Sequence, residues 1–371
     1  MERSHDYATE WKSRTGRKVF GYFCTYVPEE IIYAAGILPV RVLGRAESQD
    51  QTDVHIPTFW CPHSRDCLAQ GLMGRYKYLD GIVSTFCCQH MRQVYFSWKR
   101  HTPVSFAHEL YLPIAALQGR NTVNCYAGEL RGFIRLLQDG MGVQVPTESL
   151  DRAIEVYNTN RSLLRELYEL RKAAVPPLWG FEALYAVLSS MVMDKAEHSQ
   201  LLRQLLRELA EREDVMAEGP RLMILGSPNY NLELVKLIES TGAVVVVDEN
   251  CMGSTYFMEK VVSQEDRIQA LAERYCNRLP CPQRDFGTPA SPKRRRPAYT
   301  LELALEYNVQ GVIFIQQKFC DPHAYDAPTI MSLLKENGID TLLLEVDVTT
   351  PVGQLRTRLE AFLEILQLDL V

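Results

Sequence analysis

Short apolar runs alternate with amphipathic stretches in the first third of the chain. The apolar runs at 18–26, 37–44 and 79–86 predict strands, and the stretch 28–36 between the first two predicts a helix. The run TPVSFAH, residues 102–108, predicts a further strand. Strands that alternate with helices indicate a parallel sheet covered on both faces.

The pattern changes between residues 126 and 212, where leucines recur at helical spacing with charged residues between them. These leucines predict helices with a packed apolar face rather than a coiled coil, because no heptad repeat persists. The alternation of apolar runs with amphipathic stretches then returns. It predicts a strand and turn at 221–228 and strands at 243–250, 310–317 and 341–347.

We therefore predict an α/β protein with two parallel-sheet α/β/α domains of Rossmann or flavodoxin-like type and a helical segment between them. The expected boundaries are 1–125 for the N-terminal α/β domain, 126–215 for the helical segment and 216–371 for the C-terminal α/β domain. The segment 280–297 is rich in proline and arginine, which predicts an exposed excursion within the second domain.

Composition is that of an ordinary globular protein, with 46% hydrophobic and 23% charged residues. The 40 Lys and Arg against 46 Asp and Glu give a net charge of −6, so no general basic field attracts nucleic acid or an anionic membrane. No apolar run approaches the roughly 18 residues of a membrane span, and the polar start does not resemble a signal peptide. We expect a cytoplasmic protein with neither nucleic acid nor membrane as a partner.

Familiar nucleotide and hydrolase motifs are missing from the sequence. There is no G-x-x-x-x-G-K-[ST], no G-x-G-x-x-G after a predicted strand, no H-E-x-x-H and no G-x-S-x-G. What stands out instead is the number of cysteines, which is ten. In a large chain without a signal peptide, cysteines indicate buried thiols, redox groups or metal ligands.

Most of these cysteines lie at the ends of predicted elements, where parallel strands gather binding residues. The cysteines at such ends are Cys24, Cys61, Cys67, Cys87, Cys88, Cys251 and Cys320. Thiolates from separate loops suit a soft metal, and sulfur-only ligation suits an iron–sulfur cluster. Their spacing matches no compact ferredoxin or zinc motif, so a role as small buried hydrophobic residues stays open.

Several blocks together resemble the 2-hydroxyacyl-CoA dehydratase and benzoyl-CoA reductase family, in order over nearly the whole chain. They are GYFCTYVPEEIIYAAGILPVRVLG, CPHSRDCLAQGL, YKYLDGIVSTFCCQHMRQVYFSW, ESTGAVVVVDENCMGS, VIFIQQKFCDPHAYDAP and LLLEVDVTTPVGQLRTRLEAFLEIL. The first block and KFCDPHAYDAP look most like the smaller cluster-carrying subunit of an ATP-dependent (class I) benzoyl-CoA reductase.

Members of this family bind a [4Fe–4S] cluster through three cysteines, one from each of three blocks. The resemblance implies Cys61 from CP-x-x-R, Cys88 after the third strand and Cys320 from KFCDP as ligands. Cys87 is the alternative ligand. Cys88 is favoured, because Arg92 and Trp98 lie at the distances after Cys88 that this block of the family shows. If further cysteines bound iron, the chain would resemble relatives with a larger double-cubane cluster.

The resemblance also implies a reaction and partners. We expect an iron–sulfur oxidoreductase subunit that takes part in low-potential one-electron transfer to dearomatise benzoyl-CoA, as in anaerobic aromatic degradation. Its partners would be a homologous larger cluster-carrying subunit in a heterodimer, separate ATPase activator and electron-donor subunits, and the acyl-CoA substrate. The alternatives are a subunit of a 2-hydroxyacyl-CoA dehydratase, which is a lyase, and a homodimeric double-cubane reductase.

Two further groups of residues have both a functional and a structural interpretation. His323, His63 and His90 lie close in sequence to the implied ligands, so each is either a proton or hydrogen-bond donor near the cluster or a histidine with a structural hydrogen bond. The basic run 293–296 either grips coenzyme A phosphates or an acidic partner, or is solvated surface.

Overall fold

The structure is a computed structural model. It describes residues 2–47, 49–86, 88–113, 120–212, 218–279, 281–285, 294–347, 350 and 352–368. Cys87, the alternative to Cys88 as a ligand, lies outside the described residues, as does Lys293 of the basic run.

The described residues form eight strands and 14 α-helices. In chain order these are α1 (Glu2–Thr15), β1 (Val19–Tyr22), α2 (Glu29–Ala34), β2 (Leu38–Arg41), α3 (Pro62–Leu72), β3 (Gly81–Thr85), α4 (Gln89–His101), β4 (Phe106–Leu110), α5 (Arg120–Met141), α6 (Thr147–Glu169), α7 (Gly180–Ser190), α8 (Lys195–Ala210), β5 (Arg221–Gly226), α9 (Leu232–Glu239), β6 (Val244–Glu249), α10 (Ser254–Phe257), α11 (Arg267–Asn277), α12 (Arg295–Glu306), β7 (Gly311–Gln317), α13 (Asp321–Glu336), β8 (Asp340–Val346) and α14 (Val352–Leu368).

The chain divides into two compact units that interleave along the sequence. The first unit comprises 1–161, 189–199 and 259–293, and the second comprises 162–188, 200–258 and 294–371. The helical segment predicted at 126–215 therefore contributes residues to both units.

The first unit contains a four-stranded parallel sheet in the order β2-β1-β3-β4. In three of these four strands, β1, β2 and β3, every residue is buried, because helices cover the side chains on both faces of the sheet. Phe20 pairs with Gly81 across the central strands, and a Cβ atom at Gly81 would come within 2.7 Å of the Phe20 ring. Glycine at this position lets the aromatic ring pack directly on the neighbouring strand.

The edge strand β4 begins later than the strand predicted at 102–108. Pro103 has no backbone N–H and therefore cannot donate a hydrogen bond to β3. Ser105, just before β4, is held by a hydrogen bond from its hydroxyl to the carbonyl of Asp80 at 2.8 Å. The pairing with β3 starts at Phe106, opposite Gly81.

The second unit contains a four-stranded parallel sheet in the order β6-β5-β7-β8. The strands β6 and β7 are buried throughout, as their apolar runs predict for all but the two polar residues at the end of each strand. Two parallel sheets with helices between their strands confirm the predicted α/β class, and both strand orders follow the 2-1-3-4 pattern of flavodoxin-like sheets.

A buried carboxylate ties three helices of the first unit together. Glu30 of α2 accepts hydrogen bonds from Arg161 of α6 at 2.5 Å and from the hydroxyl of Tyr275 of α11 at 2.7 Å. Burial alone would raise the pKa of Glu30, but the charges of Arg161 and Arg274 and the hydrogen bonds from Arg161 and Tyr275 together lower the pKa to about 2. The hydrogen bond from Tyr275 fixes α11 against α2, and the ion pair with Arg161 fixes α6.

The prediction of an exposed excursion at 280–297 is wrong for most of the residues that the structure describes there, although Arg295 is exposed. Pro282, Arg284, Asp285, Arg296 and Pro297 are all buried. The arginines are buried because carbonyl or carboxylate oxygens from other elements accept their hydrogen bonds.

Within the ranges described above, no helix combines the length and the apolar character that a membrane span requires.

Candidate metal centre

The three predicted ligands share one structural position, since each is the residue immediately before the first turn of a helix. Cys61 precedes α3, Cys88 precedes α4 and Cys320 precedes α13. The first turn of a helix has N–H groups without intrahelical partners, and these favour negative charge. Each of the three cysteines therefore lies at the end of a helix that favours a bound group of negative charge, and at Cys88 a first-turn N–H donates directly to the sulfur.

Cys88 lies at the carboxyl edge of the first sheet, in the loop that follows β3. Its sulfur accepts a hydrogen bond from the backbone N–H of Met91 in the first turn of α4, at 3.5 Å. The side chain is half-buried. Because its strand neighbours Ser84 and Thr85 are fully buried, the backbone that leads to Cys88 is held in the sheet.

Cys61 is buried, and its backbone N–H donates a hydrogen bond to Nδ1 of His90 at 3.3 Å. His90 belongs to the first turn of α4, two residues after Cys88. The Trp60 ring stacks on the His90 ring, with centroids 5.0 Å apart and planes 16° from parallel. Helix α3 also packs against α4. The structure thus brings the loops of Cys61 and Cys88 together within the first unit.

His63 and Cys67 face one another on successive turns of α3. The Cys67 sulfur lies 3.8 Å from Nδ1 of His63 and 3.7 Å from the carbonyl oxygen of Val42. Burial and the nearby Arg41 lower the pKa of His63 to about 3, so the ring is neutral at physiological pH. Both side chains are buried, and these contacts favour the structural interpretation of His63 and the packing role of Cys67.

Cys320 is buried at the carboxyl edge of the second sheet, after a turn in which Phe319 has a φ of +61°. The side-chain amide of Gln316 donates to the Cys320 carbonyl at 3.1 Å. The buried atoms Oε1 of Gln316 and Nδ1 of His323 have no hydrogen-bond partner among the described residues. Two polar atoms close to Cys320 in sequence are therefore available to a group bound there.

His323 stays neutral in this environment. Burial and the charge of Arg296 lower the pKa of His323 well below its ordinary value. A neutral ring offers one N–H donor and one acceptor nitrogen, so it can form a hydrogen bond without bringing a charge.

One member of the basic run, Arg296, lies in the interior of the second unit. Nε of Arg296 donates to Asp326 at 2.8 Å, and its Nη1 lies 2.7 Å from Glu249 at the end of β6. Arg294 also pairs with Asp326. Because Arg296 is only 2% exposed, the interpretation of this residue as solvated surface is wrong, and both of its carboxylate partners are internal.

Within the described ranges, no group of three or more His, Cys, Asp and Glu side chains is arranged to hold a metal ion. The features that suit a cluster are therefore found separately in each unit. The first unit has Cys61 and Cys88 joined through His90, and the second has Cys320 with two unpartnered polar atoms nearby.

Two features of the first unit were not predicted from the sequence. The first is the hydrogen bond from Cys61 to His90, which depends on how α3 packs against α4. The second is Arg284, whose side chain donates to carbonyls of the loops after β3 and β4. An arginine in a loop rich in proline carries no periodic signal, so no pattern in the chain identifies it.

Both parallel-sheet units have cysteines directly before a helix, two in the first unit and one in the second. This arrangement is typical of α/β proteins that bind ligands at the carboxyl ends of their strands. The chain belongs to the family described as "2-hydroxyglutaryl-CoA dehydratase, D-component", whose sequence model matches residues 24–366. This match confirms the family predicted from the cysteine-containing blocks.

Curated relatives are similar over nearly their full lengths. The chain is 28% identical to the beta subunit of (R)-phenyllactyl-CoA dehydratase from Clostridium sporogenes, over 99% of this chain and 96% of the relative. It is 26% identical to one of the subunits of benzoyl-CoA reductase from Thauera aromatica, over 90% and 86%. It is 27% identical to the beta subunit of (R)-2-hydroxyglutaryl-CoA dehydratase from Acidaminococcus fermentans, over 95% and 93%. Each of these relatives is named as one subunit of its enzyme.

Proposed function

We propose that this chain is an iron–sulfur subunit of an ATP-dependent aromatic acyl-CoA reductase, with a [4Fe–4S] cluster held by Cys61, Cys88 and Cys320. The observation that supports this proposal most strongly is the hydrogen bond from Cys61 to His90, which brings the loops of two ligands together. The position of all three cysteines before a helix adds to it.

When bound, the cluster supplies low-potential one-electron chemistry, and three protein thiolates leave one of its irons without a protein ligand. The chain's own residues hold and surround it. The N-termini of α3, α4 and α13 offset the charge of the thiolates. His90 fixes the backbone of Cys61, and neutral His323 provides a hydrogen-bonding group near Cys320.

The proposed substrate is the CoA thioester of an aromatic acid. Two relatives carry an aromatic acyl group in their names, phenyllactyl-CoA and benzoyl-CoA. The proposed partners are a homologous larger subunit that bears its own cluster and a separate ATPase activator that donates electrons. The relatives, each named as one subunit of an enzyme, support partner subunits in general, and the cluster of the larger subunit and the activator are what the family resemblance implies.

A second candidate is a subunit of a 2-hydroxyacyl-CoA dehydratase. The observation that favours it is the 28% identity to the beta subunit of (R)-phenyllactyl-CoA dehydratase over 99% of this chain. Dehydratase and reductase differ in whether the acyl group loses water or gains electrons, so a product assay distinguishes them.

The test uses the complex purified without oxygen together with its partner subunit and activator. With ATP and a strong reductant, we expect consumption of benzoyl-CoA and formation of a ring-reduced product. Dehydration of (R)-phenyllactyl-CoA without any ring reduction would favour the dehydratase instead. A complex that contains no iron and converts neither substrate would contradict both candidates.

A further inference from the structure

Arg284 is a buried arginine that joins two loops at the carboxyl edge of the first sheet. Its guanidinium donates to the carbonyl oxygens of Leu112 at 3.1 Å, of Phe86 at 3.4 Å, and of Pro113. Phe86 follows β3 directly, whereas Leu112 and Pro113 follow β4. Arg284 therefore fixes the loop after β3 against the loop after β4.

The segment that carries Arg284 is itself anchored on the loop after β1. The guanidinium carbons of Arg278 and Arg284 lie 4.7 and 5.4 Å from the centre of the Tyr26 ring. The Tyr26 hydroxyl accepts a hydrogen bond from the backbone N–H of Cys281 and donates one to the carbonyl of Leu279. Arg284 is thus held in place by backbone and aromatic contacts, with 6% of its surface exposed.

Arg284 has no carboxylate partner among the described residues, because the bonds above are all to carbonyl oxygens. The adjoining stretches 114–119 and 286–293, which lie outside the described residues, contain no Asp or Glu in the sequence. Carbonyl oxygens carry no full negative charge, so a buried guanidinium bonded to them is most favourable beside a further group of negative charge. Cys88, two residues after Phe86, is the proposed ligand of such a group.

We infer that Arg284 is a positioning residue for the proposed cluster, and this inference rests on the proposed function. Its hydrogen bond to Phe86 holds the backbone from which Cys88 leaves the sheet. Its charge stabilises the reduced cluster more than the oxidised one, because reduction adds negative charge in a poorly solvated environment. The reduction potential of the cluster is therefore higher with Arg284 than without it.

Three variants of the full-length chain separate these two effects. Arg284→Gln removes the charge. Arg284→Lys keeps the charge but lacks the planar guanidinium group, whose several N–H donors reach both loops. Arg17→Gln is the control, because it removes one positive charge from an exposed residue that precedes β1, at the opposite end of the strand. Each chain is reconstituted anaerobically with iron and sulfide, and its iron content, its midpoint potential by electron paramagnetic resonance and its iron loss to a chelator are measured.

We expect Arg284→Gln to retain most of its iron, to show a more negative midpoint potential and to lose iron severalfold faster than the wild type. We expect Arg284→Lys to keep a midpoint potential near the wild type while losing iron faster. Arg17→Gln should match the wild type in all three measurements. A midpoint potential that falls in Arg284→Gln and not in Arg17→Gln is not explained by a purely structural role.

An Arg284→Gln chain with unchanged midpoint potential, or one matched by Arg17→Gln, would overturn the inference. If Arg284→Gln does not fold by circular dichroism, Arg284→Lys decides, and an unchanged rate of iron loss in it overturns the positioning role. A wild-type chain that binds no cluster is a different outcome, because it contradicts the proposed function itself.

Discussion

The backbone N–H of Cys61 donates to Nδ1 of His90, 3.3 Å away, and so connects the start of α3 to the first turn of α4. Because Nδ1 is the acceptor, a neutral His90 ring carries its proton on Nε2. The stacked Trp60 ring holds the imidazole in this orientation. One side chain therefore sets the relative position of the loops that carry Cys61 and Cys88.

Replacing His90 by phenylalanine tests this connection. His90→Phe keeps an aromatic ring against Trp60 but removes the ring nitrogen that accepts the hydrogen bond from the Cys61 N–H. We expect the free energy of unfolding to fall by about 1–3 kcal/mol, measured by urea denaturation of the chain without iron. Loss of iron from the reconstituted chain should also become faster.

The matched control for His90→Phe is its neighbour Gln89, which is exposed on the same helix turn. Gln89→Ala should change the free energy of unfolding by no more than about 0.5 kcal/mol. Equal stability of the two variants would mean that the hydrogen bond to His90 does not fix Cys61.

A second prediction concerns the ion pairs of Arg296 in the second unit. Arg296→Met leaves Glu249 and Asp326, both fully buried, without this partner. Removing one side of a buried ion pair costs about 3–5 kcal/mol, so we expect a loss of that size in thermal or urea unfolding. Arg295→Ala is the control, because Arg295 is exposed on the same helix and should matter by less than about 0.5 kcal/mol. Similar losses in the two variants would contradict this account of Arg296.

The third prediction is a pH dependence caused by Glu239. Its carboxyl group accepts hydrogen bonds from the backbone N–H groups of Gly180 at 2.6 Å and Phe181 at 3.2 Å, where α7 begins. Burial raises the pKa of Glu239 from 4.5 to about 7 in the folded chain, despite these hydrogen bonds. The folded state therefore holds a proton that the unfolded state releases at lower pH.

The stabilisation from this proton is complete below pH 4.5 and is lost as the pH rises through about 7. The midpoint temperature of unfolding should fall over this range, and it should fall less steeply in Glu239→Gln, which does not titrate. Parallel curves for the wild type and Glu239→Gln would show that another group is responsible.

The strands were predictable because their apolar runs are long and are bounded by turns or polar residues. The run 79–86 led directly to Cys88 at a strand end, and β3 occupies Gly81–Thr85. Helix α4 was not predicted, although Met91, Val94, Tyr95 and Trp98 are buried at helical spacing along it. That periodicity is the signal that would have placed Cys88 before a helix.

The contacts that complete the site were not predictable, because they join residues far apart in sequence. Cys61 meets His90 only after α3 has packed on α4. Arginine is a residue type that is normally found at the surface. Arg284 and Arg296 are nevertheless buried, because distant carbonyls and carboxylates accept their hydrogen bonds. Patterns along the chain record periodicity and not these pairings.

Two serine variants of the full-length chain test which of the adjacent residues Cys87 and Cys88 binds the cluster. Adjacent residues that leave a strand point in roughly opposite directions, so only one of Cys87 and Cys88 is expected to bind iron. We expect Cys88→Ser to lose or destabilise the cluster, and Cys87→Ser to keep iron near the wild-type content. The reverse result would make Cys87 the ligand.

The most direct test of the central proposal is the iron content of the anaerobically reconstituted chain, with electron paramagnetic resonance of its reduced form. The wild type should hold about four irons per chain, as one [4Fe–4S] cluster, and Cys61→Ser, Cys88→Ser and Cys320→Ser should each hold markedly less. About eight irons per chain would instead indicate a double-cubane cluster. A wild-type chain without iron, or three serine variants that all retain it, would contradict the three-cysteine cluster.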